Sequence, residues 1–179
     1  MVSEASTAAP GNWSQAVYQA LKNQGISVVG FVPDGGMKKV IELCMADTSM
    51  RTVALTNESE GPCLMAGAWL GGAKGCLIMQ STGIGNLINN ATMSEVCQFP
   101  LLVLVSWRSS WAEGNRWQMP MGERCQQYFK MAGFHTQTVE DGEEAGASVE
   151  AAIEHAYNTL NGVGVFFSQR VMGVKKFLR

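Results

Sequence analysis

Two hydrophobic periods alternate along this chain. Apolar residues recur at Trp13, Ala16, Val17, Ala20 and Leu21, the spacing that turns one helix face toward a core, and Gly25 closes the run. "SVVGFV" then reads as a strand, "PDGG" as a turn and "MKKVIELCM" as a helix. The alternation continues with strand "RTVAL", helix "ESEGPCLMAGAWLGG", strand "GCLIMQ", helix "NLINNATMSEVCQ" and strand "PLLVLVSW". A long loop from Arg108 to Gly122 leads to helix "ERCQQYFKMAG", strand "FHTQTV", helix "EEAGASVEAAIEHAYNTLNG" and strand "VGVFFS". Apolar strands alternating with helices predict an α/β fold: three layers, α/β/α, around a six-stranded, mostly parallel sheet.

Composition narrows this picture without changing it. The chain has 179 residues, 46% of them hydrophobic, enough for one well-buried domain over residues 12–179 behind a flexible tail, 1–11. That tail has neither the basic start nor the apolar centre of a leader, and the longest apolar run, "FPLLVLVSW", is too short to span a bilayer. A net charge of -2, with no basic block before "VKKFLR", argues against nucleic acid as a partner. The five cysteines form no C-x-x-C pair and lie mostly in apolar segments, as expected of a reduced, cytoplasmic protein.

Ligands of such sheets bind beyond the carboxyl ends of the strands. Four loops lie there: 33–36, 56–60, 81–86 and 108–122, the last too long and too rich in Trp, Arg and Asn for a mere connector. In "TNESEG", Asn57 and Glu60 carry the spacing of a capping box, which accounts for Glu60 locally. Glu58, expected at the first helical position, has only a modest dipole interaction to explain it, roughly 0.3–1 kcal/mol. "STGIGN" follows a strand and opens a helix, as phosphate loops do. A dinucleotide fingerprint would need glycines at 83, 85 and 88, however, and residue 88 is Ile; no G-x-x-x-x-G-K-[ST] occurs either. Phosphate is weakly supported as its ligand.

Asn57-Glu58, "MAGAWL" with Gly67 nine residues after Glu58, and "KGCLIMQSTGIGN" together resemble the pyrimidine-binding domain of thiamine diphosphate-dependent 2-oxo acid decarboxylases. The resemblance covers roughly residues 13 to 170. Through "FPLLVLVSWR" and "WAEGNRWQMPMG" it is nearest to the sulfopyruvate decarboxylase α-subunit group, with phosphonopyruvate decarboxylases next. It implies that Glu58 hydrogen-bonds N1' of the cofactor's aminopyrimidine and drives the tautomerisation that activates C2. It also implies that Thr82, Gly83, Ile84, Gly85 and Asn86 approach the pyrimidine and the substrate rather than a phosphate.

Less weight falls on the remaining positions. Asp34 and Gly35 stand where relatives place an active-site residue and often a Ser, so any hydroxyl role there is in doubt, and an Asp before glycines is also ordinary turn chemistry. Gln80, Asn86 and Asn90 either line the substrate side or cap element ends, with function favoured for Asn86. The implied substrate is a small 2-oxo acid carrying a second anion. Arg108 first and Arg116 second are expected to pair with that anion, with Gln118 also expected to bind substrate and Arg124 flanking the same segment, and with surface ion pairs as the plain alternative. His135 and His155 read as packed or surface residues.

In this superfamily Mg²⁺ holds the diphosphate at a Gly-Asp-Gly followed by Asn-Asn on a different domain. Here "DGG" at 34 and "NN" at 89 have the wrong order and separation. The resemblance therefore implies a hetero-oligomer in which a β subunit supplies the diphosphate and Mg²⁺ site. Two rival classes stay open: a nucleotide-binding regulatory domain, and an enzyme using Cys125 as nucleophile.

Overall fold

The computed structural model describes residues 13–174, and the tail expected over 1–11 lies outside them. Six parallel strands form one sheet in the order β2-β1-β3-β4-β6-β5. They are β1 (Ile26–Phe31), β2 (Arg51–Ala54), β3 (Lys74–Gln80), β4 (Leu101–Trp107), β5 (His135–Val139) and β6 (Gly162–Ser168). The helices are α1 (Trp13–Asn23), α2 (Lys38–Ala46), α3 (Glu60–Leu70), α4 (Ile84–Ala91), α5 (Met93–Cys97), α6 (Met119–Met131), α7 (Ala145–Thr159) and α8 (Gln169–Met172). The expected three-layer α/β fold and six strands are present, and the sheet is parallel throughout rather than mostly so.

Side chains of the central strands alternate between two cores, as the two-residue period of a strand requires. Cys76, Ile78, Leu102, Leu104, Val163 and Val165 face the layer that contains Val17, Leu21 and Val40. Leu77, Met79, Leu101, Val103, Val105 and Phe166 face the layer that contains Leu87 and Phe129. Both faces being covered is why β3, β4 and β6 read as unbroken apolar runs. On the first face, Trp13, Val17, Ala20 and Leu21 bury the predicted stripe of α1, and Gly25 ends it at φ +76°.

Several boundaries differ from the sequence reading. The helix expected over 86–98 begins earlier, as a 3-10 turn at Ser81–Gly83 running into α4, and breaks at Thr92 before α5. The loop expected over 108–122 ends at Met119, because Pro120 sits in the first turn of α6, where its missing N–H costs nothing. The short α8 follows β6 directly and was not expected. Among the described residues, no helix is long and apolar enough to cross a membrane.

The helices after β1 and β3, α2 and α4, pack on opposite faces, so a crevice opens between those strand ends. The same holds between β4 and β6, since α6 lies on the second face and α8 on the first. All four candidate loops rim this edge.

His135 on β5 and His155 on α7 stack with ring centroids 4.2 Å apart, remote from the crevices. Burial, and then the neighbouring His135, lower the pKa of His155 from its ordinary 6.5. Below that value the unfolded chain binds a proton that the folded chain resists, so stability should fall as pH drops through about 6.5. Urea midpoints between pH 7.5 and 5 should decline in the native chain and decline less in His155→Gln. Parallel profiles for the two proteins would show that the pair does not titrate in this way.

Candidate functional site at the carboxyl edge of the sheet

The turn after β2 is built by its two flanking polar residues. Asn57 Oδ1 accepts a hydrogen bond from the Ser59 N–H at 2.9 Å, and Glu60 Oε2 accepts from the Thr56 N–H at 3.2 Å. This is an Asx turn with a reach-back to residue 56 rather than the reciprocal capping box read from the sequence, and α3 starts at Glu60. Glu58 therefore lies in the turn before the helix, not at its first position. With the turn closed by its neighbours, the Glu58 side chain points inward and is only 8% exposed.

What meets it comes from the glycine loop. Asn86, in the first turn of α4, donates Nδ2–H to Glu58 Oε2 at 2.9 Å. One helical turn on, Asn90 donates Nδ2–H to the Ser59 carbonyl at 2.8 Å, so two asparagines on one face of α4 hold the Glu58 turn. Glu58 Oε1 lies against Gly83, where any Cβ would collide with the carboxyl group. Gly83 has φ -65°, open to any residue, so space and not backbone freedom demands glycine here. Oε1 accepts no hydrogen bond from the described residues. Ile84 is fully buried in the core, Gly85 is exposed beside Met121, and Thr82 donates its Oγ–H to Gln80 Oε1 at 2.5 Å.

A groove of about 610 Å³ is lined by Thr82, the residue before Gly83, with Arg116, Trp117, Pro120 and Met121. Arg116 is exposed and has no ion-pair partner among the described residues. Trp117 is 82% exposed, and Gln118 Oε1 is buried without a hydrogen-bond partner. Arg124 turns away, donating to the Pro120 carbonyl at 2.8 Å.

Arg108 is not the open fork that the sequence reading expected. Its Nε and Nη2 donate to Glu113 Oε2 and Oε1 at 2.6 and 2.8 Å, a bidentate pair that commits this edge of the guanidinium in a side chain only 12% exposed. Burial opposes the charge on Glu113, but hydrogen bonds from Arg108, the Asn115 N–H and Gln169 outweigh it and hold the carboxyl below its ordinary range. Glu113 and Gln169 were missed in the sequence; the one available signal was an acidic residue five positions after Arg108. Asp34 Oδ2 accepts from the Met37 N–H at 3.0 Å at the start of α2. With Gly35 it lines a second groove of about 410 Å³ along α2, which shares no lining residue with the groove at Arg116.

Burial pushes the Cys125 thiol up to about 12, and its Sγ–H donates to the Gly122 carbonyl. Fully buried and held protonated, Cys125 lacks the exposed thiolate character of a cysteine nucleophile. Among the described residues no three His, Cys, Asp or Glu side chains cluster as ligands for a metal ion.

A buried carboxyl with one oxygen anchored and the other facing bare backbone, at the carboxyl edge of a parallel sheet, fits a planar nitrogen heterocycle that can be hydrogen-bonded at its edge. The chain belongs to the thiamine pyrophosphate enzyme family, matching its N-terminal TPP binding domain over residues 11–130. It is 31% identical over 155 residues to a sulfopyruvate decarboxylase subunit alpha of Methanocaldococcus jannaschii, covering 86% of this chain and 92% of that one. Over 89 residues it is 35% identical to a phosphonopyruvate decarboxylase of Streptomyces viridochromogenes, covering 49% of this chain and 22% of that protein. A 2-oxoglutarate:ferredoxin oxidoreductase of Magnetococcus marinus shares the fold, with a TM-score of 0.74 over 89% of this chain and 29% of its own, at 15% identity.

Proposed function

We propose that this chain is the α subunit of a decarboxylase that converts 3-sulfopyruvate and a proton to sulfoacetaldehyde and CO2, and that a β subunit completes its active site. The reading rests above all on the Glu58 carboxyl: Oε2 is tied to Asn86, Oε1 faces Gly83, and the groove lined by Thr82, the residue before Gly83, holds an unpaired arginine.

When bound, thiamine diphosphate supplies a nucleophilic carbon and an electron sink for the pair released as CO2 leaves. Glu58 would hold the cofactor's aminopyrimidine edge and exchange a proton with it through Oε1, while Asn86 fixes the carboxyl through Oε2. The absent Cβ at Gly83 makes room for the Glu58 carboxyl itself. Arg116 meets the anion beyond the 2-oxo group, its planar fork matching a tetrahedral oxyanion. Trp117, Pro120 and Met121 form an apolar wall of the open groove around it.

Two observations support a partner that carries the diphosphate and Mg²⁺ site. The chain has no Gly-Asp-Gly and Asn-Asn pair at suitable spacing. In addition α3, which starts at the Glu58 turn, is apolar on nearly every side, yet leaves Cys63, Gly67, Trp69 and Leu70 exposed, with Val96 of α5 79% and Leu70 87% exposed nearby in the same layer. A helix apolar all round calls for burial on both sides. The related M. jannaschii protein is itself named a subunit alpha.

The decisive experiment mixes the purified chain with thiamine diphosphate and Mg²⁺, with and without the co-purifying partner, and follows CO2 release from 3-sulfopyruvate. The chain alone should neither retain the cofactor nor turn over, and the partner should restore both. Turnover by the chain alone would end the split-site reading. A preference for phosphonopyruvate would move the chain to the second reading, which the Streptomyces relative favours.

A further inference from the structure

We propose that Glu113 is a positioning residue: clamped between Arg108 and Gln169, it sets the course of the 108–118 segment so that Arg116 stands over the groove beside Thr82. The proposal rests on the reading of Arg116 as the side chain that meets the distal anion of the substrate.

Glu113 is nearly sealed from solvent, with its side chain 3% exposed against 12% for Arg108. Every lobe of its carboxylate is used: Oε2 accepts from Arg108 Nε and, at 3.0 Å, from Gln169 Nε2, while Oε1 accepts from Arg108 Nη2 and, at 2.8 Å, from the Asn115 N–H. A buried ion pair adds little net stability over an apolar plug of the same size, so stability alone is a weak reason for it. Geometry is a better one. The other end of the Gln169 amide accepts from the Trp111 N–H at 3.3 Å, and the Gln169 N–H donates to Ser110 Oγ at 2.9 Å. Arg170 lies 3.8 Å above the Trp111 ring. Residues 108–113 are thus fastened across β4 and β6 to α8.

The fastened segment carries unusual backbone. Ser109 and Ala112 have φ of 64° and 46°, left-handed values that a residue with a Cβ holds only when its surroundings impose them. The ends of the segment are pinned as well. The Arg108 N–H donates to Ser81 Oγ at 3.1 Å, next to Thr82, and the Trp107 indole donates to the Gly122 carbonyl at 2.8 Å. From Glu113 the constraint passes directly onward: it holds the Asn115 N–H, Asn115 Oδ1 accepts from the Trp117 N–H at 3.1 Å, and the turn so capped contains Arg116. A cation that must meet a small anion gains from being placed in advance, and here the placement comes from a carboxylate that never touches the substrate.

The test uses the complex of the chain with its co-purifying partner. Steady-state kinetics with 3-sulfopyruvate and pyruvate are measured for the native protein, Glu113→Gln, Arg116→Ala and the double variant. Glu113→Gln should lower kcat/KM for 3-sulfopyruvate about tenfold, through KM, and change pyruvate less than about twofold. The double variant should be no worse than Arg116→Ala alone, because Glu113 then has nothing left to position. Multiplying losses, or an equal fall on pyruvate, would overturn the proposal. Independently of turnover, hydrogen exchange of the 115–118 amides should quicken about tenfold in Glu113→Gln, and unchanged exchange there would overturn it too. If the native complex fails to decarboxylate 3-sulfopyruvate, the decarboxylase reading falls, while the exchange result still decides the clamp. Should Glu113→Gln not accumulate, Arg108→Gln/Glu113→Gln, which leaves no unpaired buried charge, takes its place in both measurements.

Discussion

Glu58→Gln should lower both turnover and deuterium exchange at the cofactor's C2 by about 10²–10⁴-fold in the reconstituted complex, the range for loss of a general acid–base group. The amide keeps the shape of the carboxyl and its contact with Asn86, so the fold should be retained. Glu60, two residues on, provides the control. It supports only the Thr56 N–H, and Glu60→Gln should cost at most about 0.5–2 kcal/mol of stability with turnover nearly intact. Gly83→Ala should resemble Glu58→Gln rather than Glu60→Gln, because its methyl would push the Glu58 carboxyl out of place. If Glu60→Gln proved the more damaging of the two glutamate variants, the assignment of the pair would be wrong.

Arg116→Ala should cut kcat/KM for 3-sulfopyruvate about 10- to 150-fold, corresponding to about 1.5–3 kcal/mol for a hydrogen bond to a charged group. Plain pyruvate has no second anion for Arg116 to meet and should be affected little. The groove is open, so the loss stays below that of removing a partner from a sealed ion pair. Equal losses on both substrates would show that Arg116 shapes the loop rather than reading the anion. Phosphonopyruvate, measured alongside, differs from sulfopyruvate mainly in charge and one proton, so its ranking in the native complex separates the two decarboxylase readings.

The contrast between the two arginines shows where sequence reading stops. Arg108 and Arg116 sit in one loop, and the one acidic residue between them, Glu113, lies within five positions of each, so the sequence does not tell which one is engaged. Glu113 chooses Arg108 because a left-handed backbone at Ser109 and Ala112 folds residue 113 back onto residue 108, and Gln169, 56 positions further on, completes the site. The same limit applies to Asn86. Its role in holding Glu58 spans 28 residues and exists only because β3 is set between β1 and β4, bringing the loop after β3 over the turn after β2.

The sequence by itself determined the number of strands, their alternation with helices, the two-sided burial of the central strands, and the position of Glu58 in a loop whose other members have local duties. These follow from hydrophobic period and turn chemistry, which act over a few residues and leave their mark on any stretch of chain. Tertiary structure decided that every strand is parallel, that β6 is inserted between β4 and β5, that α4 begins inside the glycine loop, and which of two arginines stays free. Those outcomes depend on which distant groups are brought within hydrogen-bonding distance, and an ion pair or a shared crevice has no energy until the sheet that brings its partners together has formed.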